Sequence, residues 1–186
     1  MAKHYCNDVE NYDLSFLLQI GIGVRSKILI VGESPAANGW ILSGKAFYND
    51  KGKLVPSGVR LNKLLKSLNF SLEECSFTEI CKCVIGNERN LLKTCGNKCW
   101  KIFVKQIKGN DFKLIIPLGL ETLRIFNNQL TSHYEVGKLA EIKIKNKDYY
   151  FLPLFHPSPI NPRGLERNLK IVKEGREEML KILKSL

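Results

Sequence analysis

The sequence predicts an α/β protein, a three-layer α/β/α sandwich with a central, mostly parallel sheet. Three observations carry that expectation. Short, uninterrupted apolar runs at 27–33 and 113–118 have the length and branched side chains of strands buried on both faces. Between them lie segments whose apolar residues recur with the 3.6-residue helical period. Strands that alternate with helices and return right-handed lie side by side, with both sheet faces covered. The 186 residues are read as one domain, 1–186, a length that buries about 70% of the unfolded surface.

Taken in order, residues 1–24 have no clear period. Phe16, Leu17, Leu18 and Ile20 suggest a short helix before Gly21 and Gly23 break it. The first strand is 27–33. Residues 34–56 read as a long loop rich in Gly, Asn and Pro, and loops of that length are commonly functional. Ser57 is placed to cap a helix whose Leu61, Leu64, Leu65 and Leu68 share one face. The second strand is expected over 76–83. A helix over 90–108 turns Leu91, Leu92, Cys95, Cys99, Ile102, Phe103 and Ile107 inward. Lys93, Lys101, Lys105 and Lys108 run along its other side, either as a solvated face or as a contact for DNA. The third strand is 113–118, followed by Gly119 and a short helix to Asn127. Residues 140–144 and 149–155 pair across a polar turn at 145–148, and a last helix runs over 164–186.

Charge narrows the partners. With 29 basic and 18 acidic residues the chain carries +11, which favours a polyanion or an anionic surface and is equally met by solvated lysines. No segment approaches the ~18 apolar residues of a membrane span, and no basic-then-apolar leader opens the chain. A cytoplasmic protein is expected, with its six cysteines as reduced thiols or metal ligands.

Two stretches hold the chemistry. Lys27-Ile28-Leu29-Ile30-Val31-Gly32-Glu33-Ser34-Pro35-Ala36 is an apolar run ending in a small polar turn. Leu152-Pro153-Leu154-Phe155-His156-Pro157-Ser158-Pro159-Ile160-Asn161-Pro162-Arg163-Gly164 ends in a loop stiffened by alternating prolines. Polar groups at the C-terminal tips of neighbouring strands mark the usual site of an open α/β sheet. Glu33, Ser34 and His156 stand at such tips, and Glu79 enters from the second strand. A carboxylate and a histidine on one pocket can polarise water on one side of a bond and stabilise a leaving anion on the other, a hydrolysis layout. The plainer alternative has Glu33 and Glu79 capping helices and His156 satisfying a loop carbonyl.

Gly32-Glu33-Ser34-Pro35-Ala36 together with the His156–Gly164 loop resembles the motif pair of the uracil-DNA glycosylase superfamily. Gly44-Lys45-Ala46-Phe47, Ser57-Gly58, Thr78-Glu79-Ile80-Cys81-Lys82-Cys83, Cys99, Gln106-Ile107 and Pro117-Leu118-Gly119 follow in the order of its bacterial and archaeal branch, family 4. The resemblance implies a glycosylase that extrudes a damaged nucleotide from DNA and hydrolyses its base–sugar bond. His156 would then stabilise the departing base and Glu33 would position or activate water. Phe47 would stack on the base, or else be a core phenylalanine. Ile160 would fill the vacated stack, while Ser57, Ser158, Asn161 and Arg163 would bind phosphates. The expected partner is DNA carrying a deaminated base, met by a monomer, with no membrane and no strand cleavage through a lysine. Two alternatives stand beside this: a DNA-binding relative without turnover, and an unrelated α/β nucleotide enzyme. For the latter, Gly21-x-Gly23 precedes the first strand where a dinucleotide fold needs it after.

The departures from the resemblance are specific. Glu79 stands where the family has asparagine, and an ionised glutamate offers only acceptors to a base edge. Ser34 stands where the best-known branch has aspartate. Ala36 replaces the tyrosine that excludes 5-methyl groups, so a wider base range is expected. Family 4 carries an iron–sulfur cluster on four cysteines; Cys83 and Cys99 match the later pair, but Cys6 stands without a Cys-x-x-Cys partner. Cys81, Cys83, Cys95 and Cys99 are the set for a different four-thiolate site, although each also suits a buried core position. The expectation is no cofactor, with reduced core thiols.

Overall fold

The computed structural model describes residues 7–86 and 88–184, so the Cys6 thiol and residues 185–186 lie outside it. The order of elements is β1 (Leu18–Gln19), β2 (Ile28–Gly32), α1 (Trp40–Ser43), α2 (Pro56–Ser67), β3 (Ser76–Glu79) and α3 (Asn90–Lys108). Then come β4 (Leu114–Pro117), α4 (Leu120–Leu130), β5 (Ala140–Ile144), β6 (Lys147–Phe151), α5 (Gly164–Glu174) and α6 (Arg176–Lys184). The strands form one sheet in the order β1-β3-β2-β4-β6-β5. Its middle, β3-β2-β4-β6, is parallel; β1 and β5 pair antiparallel at the two edges.

Side-chain alternation along β2 shows why both faces are covered. Ile28 and Ile30 enter one core with Leu61, Leu64 and Leu65 of α2 and Val172 of α5. Leu29 and Val31 enter the other with Phe103 and Ile107 of α3 and Phe126 of α4. All four β2 side chains are buried, which explains why the strand reads as an uninterrupted apolar run. The three-layer sandwich is the architecture expected from the sequence.

Several boundaries differ, each for a local reason. Leu18 and Gln19 form an edge strand on β3 instead of a helix, because Thr78 Oγ1 and Gln106 Nε2 donate to the carbonyls of Leu17, Leu14 and Phe16. Ser57 does not cap α2; the cap position is Val55 and Pro56 takes the first turn, where its missing N–H costs nothing. The 34–56 stretch contains α1 and a bridge between Tyr48 and Leu54. β3 ends at Glu79, yet the N–H groups of Ile80 and Cys81 still donate to Gly32 and Glu33, so the ladder continues into the site. β6 starts two residues early because the turn is only Lys145-Asn146, with Lys145 left-handed at φ 58°. Past Phe151 the chain still hydrogen-bonds β4, from Leu152 and Leu154 to Ile115 and Pro117. The last helix is split at Gly175 into α5 and α6.

Candidate active site

The C-terminal tips of β2 and β3, the 34–57 stretch and the loop after β6 meet around a cavity of about 380 Å³. Seven of the residues singled out from the sequence line it: Glu33, Ser34, Ala36, Phe47, Ser57, Glu79 and His156. Ser158, Ile160, Asn161 and Arg163 sit on the adjoining loop, where Ile160 is 93% exposed.

Gly119, just beyond β4, lets the two principal stretches approach. Its φ is 96°, and a Cβ there would lie 2.7 Å from Glu33 Oε1 and 3.3 Å from the His156 Cβ. Glu33 is paired with Arg89 at 2.7 Å, on the turn that leads into α3. His156 is half-buried, and its Nδ1 accepts the Ser158 N–H at 3.1 Å. That bond leaves Nε2 as the protonated nitrogen of a neutral ring. Burial holds the imidazole below its ordinary value, opposed by Glu33 and assisted by Arg89, so the ring is neutral at physiological pH. Neither carboxylate caps a helix, and the histidine accepts an N–H where the plainer alternative had it satisfying a carbonyl.

Glu79 lies across Gly32, close enough that a Cβ on Gly32 would meet Oε2 at 2.2 Å. Its Oε2 is buried without a hydrogen-bond partner. Burial pushes the carboxyl up to about 8, against Lys82 and with Glu33 adding to the rise. Three residues beyond it, Lys82 is fully buried. Its ammonium donates to Thr78 Oγ1 at 2.7 Å, the Glu79 carbonyl at 2.5 Å and Gln106 Oε1 at 2.6 Å. Those three acceptors tie Lys82 to β3 and to Gln106 of α3, and burial pulls its amine down to about 7.

Phe47 is both a core residue and a wall of the cavity. Its ring stacks edge-on to Phe77 at 5.6 Å in the core, and the same residue borders the cavity with a left-handed φ of 64°. The proline-braced loop is held from both flanks. Arg60 of α2 donates to the carbonyls of Ser158 (3.1 Å) and Asn161 (3.3 Å). Buried Asn168 of α5 bonds both backbone groups of Phe155, at 2.9 and 2.8 Å. The sequence reading missed Arg60, Arg89 and Asn168; no periodicity marks them, since their role depends on contacts over long chain separations. Buried Lys82 was passed over, although a lysine inside an apolar stretch is a readable signal.

The sulfurs of Cys81, Cys83 and Cys99 lie within 4.8 Å of one another, buried, an arrangement able to hold a metal. Cys95, the fourth cysteine of the expected set, is not among the three mutually close sulfurs, but it packs in one apolar cluster with Cys81, Cys83, Ile85 and Leu92. A cluster of the kind the resemblance implies asks for four thiolates, and the described residues bring together three. Hydrogen bonding to Cys83 and Cys99, together with burial, pushes the Cys81 thiol up, as expected of a protonated core thiol. Of the lysines along α3, Lys105 pairs with Glu10 at 2.9 Å, while Lys93, Lys101 and Lys108 are exposed. No helix among the described residues is long and apolar enough to cross a membrane.

An α/β/α sheet with a cavity at the C-terminal tips of its parallel strands is the class of architecture that binds ligands there. The family model of the uracil DNA glycosylase superfamily matches residues 21–181, and the chain belongs to that superfamily. It is also similar to the Type-4 uracil-DNA glycosylase of Archaeoglobus fulgidus, 26% identical over 146 residues, which cover 75% of this chain and 70% of the relative.

Proposed function

We propose that this chain hydrolyses the N-glycosidic bond of uracil, and of other deaminated bases, in DNA, without strand cleavage. The observation that carries the reading is the convergence of Glu33, Glu79 and the neutral His156 on one cavity, next to an exposed apolar loop tip. In the reaction the extruded base enters the cavity and packs beside Phe47. The base–sugar bond stretches toward an oxocarbenium-like sugar and a base anion. His156 donates from Nε2 to the carbonyl oxygen that gathers the charge, a donor fixed in place by the Ser158 bond. Glu33, oriented by Arg89, holds the water that traps the sugar. Ile160 fills the gap in the duplex; Ser57, Ser158, Asn161 and Arg163 face the phosphates.

This chemistry is carried by the chain's own side chains and asks for no cofactor; Cys81 and Cys83, just past β3, and Cys99 of α3 are the residues whose sulfurs would hold a metal. A panel of duplexes, each with one modified base and scored for alkali-labile sites, tests the reading. The expected result is uracil release by the wild type, slowed at least ~100-fold in His156→Ala. No release from any duplex of the panel would refute it.

A further inference from the structure

At the opposite end of the sheet lies a second, larger cavity, of about 460 Å³. α3 links the two places. It begins beside Arg89, which holds the Glu33 carboxylate, and its last residues, Ile107 and Lys108, border the second cavity. At 1.5 Å per residue its 19 residues span about 28 Å. β6 gives the same direction: it opens with Lys147 at the second cavity, and the loop carrying His156 follows its far end. A duplex held with an extruded base at His156 leaves this end of the molecule free.

The walls of the second cavity are apolar and its rim is cationic. Val104 and Ile107 of α3 stand against Ile144 of β5 and Tyr149 of β6, all part of one core. Lys108, Lys145 and Lys147 surround the opening, and no carboxylate lines it. Lys147 is engaged, donating to the Asn110 carbonyl at 3.0 Å and lying 3.6 Å from Asp111. Lys108 and Lys145 are exposed and have no ion-pair partner among the described residues. Tyr149 is an independent sign. It is only 3% exposed, yet its hydroxyl makes no hydrogen bond among the described residues. Nor is that oxygen one of the orphaned atoms sealed from solvent, Glu79 Oε2 and Thr122 Oγ1, so it keeps an opening. Alternation along β6 turns its side chain to the α3 face, where the cavity lies. A nearly buried phenol of this kind calls for a partner.

We infer that this cavity docks an acidic peptide segment of a partner protein. An apolar side chain of the segment seats between α3 and the β5–β6 hairpin, and flanking carboxylates meet Lys108, Lys145 and the Tyr149 hydroxyl. Charge complementarity selects that occupant. Residues 1–6 of the chain itself carry Lys3 and no carboxylate, so they do not match the rim. A second copy brings another +11 against the same lysines. A nucleic-acid backbone would satisfy the lysines and leave the apolar walls empty. The position lets a partner hold the protein while its catalytic end is occupied.

The probe is a short synthetic peptide with one phenylalanine flanked on both sides by glutamates. It is titrated into the isotopically labelled full chain and followed by backbone amide NMR shifts. Expected are saturable shifts confined to 104–108 and 144–149, with the residues around His156 unmoved. Replacing the peptide's phenylalanine by alanine, or its glutamates by glutamines, should weaken binding at least ~5-fold. Lys108→Gln combined with Lys145→Gln should do the same, and Tyr149→Phe, which keeps the ring in the core, should weaken binding about threefold. Both lysines are exposed, so the double variant should melt with the wild type. The absence of saturable shifts up to about 1 mM peptide overturns the inference, as does equal binding by the alanine peptide or by the double variant. Shifts at the same residues on concentrating the protein alone would hand the face to a second copy, and displacement of the peptide by undamaged duplex would hand it to nucleic acid; either overturns the inference. None of these outcomes depends on base release, so the glycosylase reading stands or falls separately.

Discussion

Gly119 is the residue on which the proximity of the two principal stretches depends. It combines a φ of 96°, which side chains with a Cβ avoid, with a 2.7 Å approach to Glu33 Oε1. Gly119→Ala is therefore expected to cost ~1–3 kcal/mol in a denaturant melt and to slow base release at least ~10-fold by pushing Glu33 off Arg89. A variant with wild-type rate would show that the two stretches need not touch. Arg89 makes the same point from the other side: it lies far from Glu33 in the chain, and the pair exists only because the turn before α3 passes over the tip of β2. Glu79 was legible as a site residue, but the orphaned oxygen that gives it a chemical character was not.

Among the elements, the loop after β6 is the most constrained. Its prolines were readable as stiffness; what holds it was not. Asn168, buried in α5, closes a paired hydrogen bond on the Phe155 backbone one residue before the histidine. Removing that side chain leaves a buried N–H and a buried C=O without partners, each worth ~1–3 kcal/mol. Asn168→Ala should lower unfolding stability by ~2–4 kcal/mol in urea, and reduce the rate of base release more than the affinity for DNA. Equal losses in both would place Asn168 in general folding only. The β1 segment teaches a related lesson. Its apolar residues suit a helix locally, but the Gln106 amide and Thr78 hydroxyl satisfy its carbonyls as an edge strand, so long-range hydrogen bonds outweigh propensity.

At the scale of the molecule, the charge of +11 and the exposed Ile160 tip bear on how DNA is met. Binding to an undamaged duplex should weaken at least ~10-fold as salt rises from about 50 to 200 mM, because lysine and arginine contacts release counterions. Ile160 contributes almost nothing to the core, so Ile160→Ala should leave the melting temperature unchanged. In the same variant, base release from duplex should slow more than release from single strands, where no stack has to be filled. Equal slowing on both substrates would remove the wedge role.

The amino-acid order alone determined the layer architecture, the continuous strand β2, the helices α2 and α3 and the two stretches whose tips carry Glu33 and His156. These follow from local periodicity and from prolines and glycines that limit the backbone whatever surrounds them. Tertiary structure decided what no local pattern encodes: that Gly119 lets Glu33 and His156 meet, that Arg60 and Asn168 brace the loop, and that the sulfurs of Cys81, Cys83 and Cys99 gather. It also decided the protonation of Glu79 and His156. The energy of a charge depends on the dielectric and on partners within a few ångströms, and those are supplied by segments distant in the chain.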